Sequence, residues 1–260
     1  MRNDTRLLDL LAQTSNMGRQ VVLITGAGQR LGAATARRLM NQGCHVLLHV
    51  RSSIVQAEAV VASSEKEGGS GEVLVADLTV DSDVERLVQD VICHPLVVEH
   101  GLFGLVHNAS FYSPSSFEET PLETFRLLSR LHMEAPYALT QGCLGALRRA
   151  GGSVVGLVDT SWGRSWDGLG HYTATKAGLR QLMLNLAGEL APHVRVNCVA
   201  PGAIMAADWE AEHFADVVEK VPLKRSGKAE DIAAAIHHLL EHNVLSGHVL
   251  HVDGGWSMVE

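Results

Sequence analysis

The sequence predicts an α/β fold, a single doubly wound domain in which seven parallel strands form one sheet with helices on both faces. Three observations predict it. Apolar runs of strand length alternate along the chain with segments of helical period, the pattern of successive βαβ units. A glycine-rich turn, Thr25-Gly26-Ala27-Gly28-Gln29-Arg30-Leu31-Gly32, follows the first apolar run, Val21-Val22-Leu23-Ile24, and opens a helical segment. The chain has 260 residues, 46% of them hydrophobic, enough to bury the large core of one open sheet. No internal repeat divides it, so residues 19–260 are expected to form one domain behind a leader over 1–18.

The leader clusters Leu7, Leu8, Leu10 and Leu11, which leaves a disordered segment and an amphipathic helix both open. Strand 21–24 follows, and its glycine-rich turn is the signature of a Rossmann-type nucleotide site. Glycine lets the backbone approach a pyrophosphate, while the first free N–H groups of the helix and its dipole favour the anion. Gly43 is placed to end that first helix in the left-handed conformation. Strands 45–50 and 72–76 come next, with Glu65 to Gly71 read as a polar, glycine-rich loop. Ser82 with Glu85 forms a capping box ahead of Val84, Leu87, Val88 and Val91. After strand 103–107, Thr120-Pro121-Leu122-Glu123 combines the same box with proline at the first helical position. Strands 153–158, 194–199 and 248–252 complete the sheet. The helical segments around 122–149 and 173–190 are apolar on more than one face, the second through Leu179, Leu182, Met183, Leu184 and Leu186. Such helices need a cover from outside the sheet, so self-association is expected.

A net charge of −8 argues against a nucleic-acid or anionic-membrane surface. The four cysteines, Cys44, Cys93, Cys143 and Cys198, are scattered and show neither CxxC spacing nor a disulfide framework. None of the 14 histidines forms HExxH, and the adjacent His237 and His238 diverge on a helix, so no catalytic metal is expected. The first 17 residues lack a basic region followed by a long apolar core, and no apolar run approaches about 18 residues. A cytoplasmic enzyme is the expectation.

Tyr172 and Lys176, at i and i+4, share one helix face. A nearby cation stabilises phenolate and lowers a tyrosine pKa toward the working pH, which suits a proton donor in hydride chemistry. With His107-Asn108-Ala109-Ser110 after the fourth apolar run and Pro201-Gly202 after the sixth, the order of motifs resembles the short-chain dehydrogenase/reductase family from about Gln20 to Met258. The resemblance implies cofactor contacts from Gly26, Gln29, Arg30 and Leu31 in the first turn, and from Asp77 and Leu78 at the adenine. It implies others from Asn108, Ala109, Ser110, Tyr172, Lys176, Pro201, Gly202 and Ile204, and it implies a homotetramer.

The second strand ends His49-Val50-Arg51-Ser52-Ser53, without the acid that binds a ribose 2′-OH and repels a 2′-phosphate. Arg51, Ser52 and Arg30 are placed to surround that phosphate, and His49 to add a bond, so the expected cofactor is NADPH.

Two departures from the ordinary family pattern point to the substrate. Arg30 stands where the glycine-rich motif usually has Gly or Ala, and Asp159, thirteen residues before Tyr172, stands where Ser is usual. Together they resemble the pteridine reductase branch, which includes dihydromonapterin and dihydrofolate reductases. A ketone needs a hydroxyl donor at its oxygen, whereas an ionised carboxylate only accepts; a pterin edge offers N–H groups that want acceptors and ring nitrogens to be protonated. The resemblance implies a catalytic set of Asp159, Tyr172 and Lys176, with Tyr172 donating a proton and Lys176 lowering its pKa. The expected substrate contacts are Arg30, Ser110, Phe111, Asp159, Trp162 and Tyr172, with Phe111 stacking on the ring and Tyr112 as its rival. Trp166 and Arg164 are further candidates at the pocket. His132 stands where most relatives carry a relay asparagine. A reductase of another carbonyl compound, such as a 3-oxoacyl thioester, a sugar or another ketone, remains the alternative.

Overall fold

The computed structural model describes residues 20–163, 165–206 and 211–259. The leader, with its two alternatives, and Arg164 lie outside the described residues. Seven parallel strands form one sheet in the order β3-β2-β1-β4-β5-β6-β7. They are β1 (Val21–Thr25), β2 (His45–Val50), β3 (Ser70–Val75), β4 (Gly104–His107), β5 (Ser153–Leu157), β6 (Arg195–Pro201) and β7 (Val249–Val252). The helices are α1 (Arg30–Asn41), α2 (Ile54–Glu65), α3 (Asp81–Ile92), α4 (Pro95–His100), α5 (Leu122–Ser129), α6 (Ala135–Ala150), α7 (Gly170–Glu189), α8 (Ala211–Lys220) and α9 (Ala229–Glu241). All seven expected strands are present.

The central strands are mostly apolar because both of their faces are covered. Val21 and Leu23 of β1 point into one core with Leu87 of α3, Leu139 of α6 and Met183 of α7, while Val22 and Ile24 point into the other with Leu39 of α1 and Ile236 of α9. The period of two along a strand sends neighbours to opposite layers, so β1, β2, β4 and β5 are buried throughout. Burial of each such Leu or Ile contributes about 1.5–3 kcal/mol. Among the described residues no helix is long and apolar enough to cross a membrane.

Gly43 takes φ +90° after α1, as expected of a helix terminator. Two expected caps are corrected. Helix α3 begins at Asp81, so Ser82 falls inside its first turn, and Asp83 turns its carboxylate to the Asp77 N–H at 2.7 Å. Helix α5 begins at Leu122 with Pro121 as the residue before it, and the Thr120 hydroxyl bonds back to the Ser116 carbonyl instead of capping. The expected loop at Glu65 to Gly71 is shortened, because Ser70 and Gly71 pair with His45 and Val46 as the start of β3. Between α5 and α6, residues Arg130–Glu134 form one π turn that carries His132 into the core. Such turns recur at functional positions because the extra residue redirects one side chain.

Candidate active site

Strand order reverses between β1 and β4, and the C-terminal ends of these strands bound the crevice where such sheets bind ligands. Thr25, the last residue of β1, ties the two together. Its hydroxyl oxygen accepts the N–H groups of Asn108 (2.9 Å) and Ala109 (3.0 Å), and Asn108 Nδ2 donates back to the carbonyls of Thr25 and Gly26 at 2.8 and 2.9 Å. Gly26 sits at φ +65°, and a Cβ there would stand 2.9 Å from the Ala109 Cα; a Cβ on Gly32 would stand 2.2 Å from the Gly26 carbonyl oxygen. The turn therefore packs backbone to backbone. Gln29 makes no side-chain cap at the start of α1, so the first-turn N–H groups stay available to an anion. This cradle fits the pyrophosphate of a dinucleotide.

A cavity of about 870 Å3 opens from that cradle. Gly26, Gln29, Arg30, Leu31, His49, Arg51 and Ser52 line it on one side, and Asp77, Leu78, Asn108, Ala109 and Ser110 continue the wall. Lys176, Pro201, Gly202 and Ile204 close it from α7 and the end of β6. Asp77 Oδ1 accepts both the N–H and the hydroxyl of Thr79, and these bonds hold its carboxyl below the usual range.

Two of the expected phosphate contacts are corrected. His49 is buried, donates Nε2–H to the Ala76 carbonyl at 3.0 Å and accepts the Gly26 N–H on Nδ1 at 3.3 Å. Burial lowers its pKa, so it is a neutral brace with both nitrogens engaged. The Arg30 guanidinium turns to the other wall, donating to the carbonyls of Met205 (2.7 Å) and Ala206 (3.2 Å). Its backbone takes φ +49°, which a non-glycine residue holds only where the surroundings over-determine it. Arg51 and Ser52 remain, exposed, at the end of β2.

Tyr172, Asp159 and Lys176 converge at the cavity floor. The Tyr172 hydroxyl donates to Asp159 Oδ2 at 3.1 Å, and Asp159 Oδ1 accepts the N–H and the hydroxyl of Ser161 at 2.8 and 2.5 Å. Lys176 is buried and donates to the Leu157 carbonyl at 2.8 Å. Burial lowers its pKa from 10.5 to about 8, against the opposing pull of Asp159. The expectation that Lys176 draws the phenol down is corrected. Burial pushes the Tyr172 pKa well up and Asp159 adds to it, while the Ser110 hydroxyl opposes. The ammonium stands 5.8 Å from the ring centroid and does not outweigh the nearer carboxylate. The phenol therefore keeps its proton through neutral pH.

His132 joins this group through Ser110. Its Nδ1–H donates to Thr175 Oγ1 at 2.8 Å, since that hydroxyl gives its own proton to the Tyr172 carbonyl, and its Nε2 lies 2.9 Å from Ser110 Oγ. Burial and the Lys176 charge hold the imidazole pKa down at about 2, so it orients Ser110 without carrying charge.

Phe111 and Tyr112 both line the cavity, but Tyr112 packs its ring on Tyr172 with centroids 5.2 Å apart, while Phe111 is more exposed. Trp162 is corrected. It does not line the cavity; its ring lies 4.0 Å from the Arg180 guanidinium carbon and 6.4 Å from the His251 ring. Trp166 does line it, and pairs with Trp256 at 6.1 Å. The sequence reading missed Thr25, Thr175 and Trp256, whose roles depend on contacts distant in sequence that no local spacing marks.

The family model described as Enoyl-(Acyl carrier protein) reductase matches residues 26–257. Glucose 1-dehydrogenase from Gluconobacter oxydans (strain 621H) is 31% identical over 258 residues, covering 91% of each chain. Dihydromonapterin reductase from Enterobacter sp. (strain 638) is 28% identical over 245 residues, covering 92% of this chain and 98% of that one. Among solved structures, FolM Alternative dihydrofolate reductase 1 from Brucella canis, complexed with NADP, superposes with a TM-score of 0.84 at 27% identity, covering 93% and 95% of the two chains. The chain belongs to the short-chain dehydrogenase/reductase family of oxidoreductases.

Proposed function

We propose that this protein is an NADPH-dependent pteridine reductase that takes a dihydropterin, such as dihydromonapterin or dihydrobiopterin, or dihydrofolate to its tetrahydro form. The observation that carries this reading is the Asp159 carboxylate bonded to Tyr172 at the cavity floor, where it offers acceptor oxygens to a substrate edge. The likeness to a dihydromonapterin reductase and to an alternative dihydrofolate reductase supports it. The bound dinucleotide would supply a hydride to C6 or C7 of the ring. Tyr172 gives its proton to the adjacent nitrogen, and the Lys176 ammonium, 5.8 Å from the ring centroid, stabilises the phenolate left behind. Asp159 orients the pterin edge, Phe111 covers one ring face, and Trp166 with Trp256 narrows the mouth against water. A homotetramer working in the cytoplasm belongs to the same proposal, and exposed Phe125 of α5, Met133 of the π turn and Tyr137 of α6 offer surface for its contacts.

The test is NADPH oxidation by the purified protein with dihydrobiopterin, dihydromonapterin, dihydrofolate and a panel of ketones. Turnover of a dihydropterin above every ketone is the expected result, and turnover of ketones alone would reverse the assignment. Ser161 favours the ketone reading only as a hydroxyl near Tyr172, and its proton is already given to Asp159.

Cofactor choice rests on Arg51 and Ser52 and on the absence of an acid at the end of β2. A lost charge-assisted phosphate bond costs about 1.5–3 kcal/mol, so Arg51→Ala should weaken NADPH by about tenfold or more and leave NADH nearly unchanged. Fluorescence titration with both cofactors checks it. Lys176 sets the pH dependence. A lysine pKa lowered to about 8 means that the ammonium is lost as pH rises through that value. The kcat/KM for NADPH, which reports the free enzyme, should accordingly fall above about pH 8.

A further inference from the structure

We propose a second site, a three-ligand site for zinc or a similar borderline divalent ion, formed by His45, Glu72 and His94 at the end of the sheet remote from the cavity. One ring nitrogen of each histidine and a carboxylate oxygen lie within 4.8 Å of one another. Glu72 Oε1 stands 3.6 Å from His45 Nε2 and 3.2 Å from His94 Nε2. Ligands about 2.0–2.1 Å from a tetrahedral zinc are about 3.4 Å apart, so the two separations bracket the value an ion would impose.

Three separate segments build the cluster. His45 opens β2, Glu72 lies in β3, and His94 precedes α4 at the corner after α3. His45 pairs in register with Ser70, so the alternation of the strands puts the side chains of His45, Ser70 and Glu72 on one face. That face is the one α3 and α4 cover. The two imidazoles lie side by side, centroids 5.3 Å apart and planes 27° apart, so both edges approach the same oxygen.

The polar bonding is incomplete without an ion. His45 is nine-tenths buried, and its Nε2 has no hydrogen-bond partner, because 3.6 Å to Glu72 is too long for one. Its other nitrogen, Nδ1, meets the Ser70 hydroxyl at 2.5 Å. A metal-bound histidine engages its second nitrogen in this way, which fixes the ring and aims the Nε2 lone pair. Two imidazoles and a carboxylate suit zinc, and the exposed side of Glu72 leaves a fourth position to water. His45 lies five residues before the end of β2, roughly 16 Å from the cavity rim, so the ion would join the three segments without touching the reacting atoms.

Full-length protein stripped with a chelator and titrated with Zn2+ against a chromophoric chelator should bind one equivalent. His94→Gln and Glu72→Gln should weaken that binding about a hundredfold or more, and Ser70→Ala about ten- to a hundredfold through the freed His45 ring. Co2+ in place of zinc should show the visible bands of a tetrahedral site, absent in His94→Gln. Cys93→Ser, which removes the exposed thiol beside His94, should change nothing. Far-UV circular dichroism and NADPH binding of the metal-free variants should match the parent, which separates lost ligation from lost folding. Absence of stoichiometric zinc, equal affinity in His94→Gln and Glu72→Gln, or loss in Cys93→Ser alone would overturn the proposal. An ion pair without metal gives the first of these results.

Discussion

Replacing Tyr172 by phenylalanine should lower turnover of a dihydropterin by about 10²–10⁴-fold, the range of a lost general acid. The substitution removes one oxygen and keeps the ring, which is packed on Tyr112 and edge-on to His132 with centroids 5.7 Å apart. Packing should therefore hold. Affinity for NADPH, read by fluorescence, should change little, because Lys176 keeps its bond to the Leu157 carbonyl. The loss belongs to kcat, since the phenolic proton is needed when the ring nitrogen gains its charge and not when the substrate docks. Burial and Asp159 hold the phenol protonated well above neutral pH, so the parent carries that proton throughout its working range. A Tyr172→Phe enzyme that kept turnover within threefold would remove the phenol from the mechanism and leave the proton to another group.

The fold was legible because its evidence is local. Strands β1, β2, β4 and β5 are short, mostly apolar runs buried on both faces, and such a run reads the same in sequence as in the sheet. The ends of elements were less legible. Ser82 and Thr120 carried cap-like spacing, yet the Asp77 N–H drew Asp83 away and the Ser116 carbonyl took the Thr120 hydroxyl. Start signals describe which bonds a helix end can make, and a nearby loop competes for the same groups.

The site divides in the same way. Gly26 and Gly32 were readable because only glycine fits where two backbones approach within 3 Å. Tyr172 and Lys176 were readable through their helical spacing, which places both on the cavity side of α7. Side-chain direction was not readable. Arg30 was expected at a phosphate and instead reaches carbonyls 175 and 176 residues downstream, while His49 spends both nitrogens on the backbone. Trp162 turns to Arg180, although Trp166, four residues on, faces the cavity. The sign of the Tyr172 shift was also missed, because it depends on how deeply the ring is buried and on which charge is nearer. Neither quantity is visible in the spacing of Tyr172 and Lys176.

Asp159→Ser is the substitution at which the pterin and ketone readings predict opposite results. With serine the site gains a donor and loses a charge. A pterin edge presenting N–H groups loses its acceptor, and dihydropterin turnover should fall about 10²-fold, close to 2.7 kcal/mol of transition-state stabilisation. NADPH affinity should barely move, because the carboxylate bonds only Tyr172 and Ser161 among the described residues. The pH profile gives a second readout. Asp159 raises the pKa of both Tyr172 and Lys176, so its removal lets both fall and moves the basic limb of kcat/KM to lower pH. A ketone reductase would respond the other way at the chemical step, since a hydroxyl donates to a carbonyl oxygen and a carboxylate cannot. Improved ketone reduction by the serine variant, with no dihydropterin turnover in the parent, would end the pteridine assignment. Collapse of pterin turnover with cofactor binding intact and the basic limb shifted downward would place Asp159 in the catalytic set, acting on the substrate edge and on the proton that Tyr172 delivers.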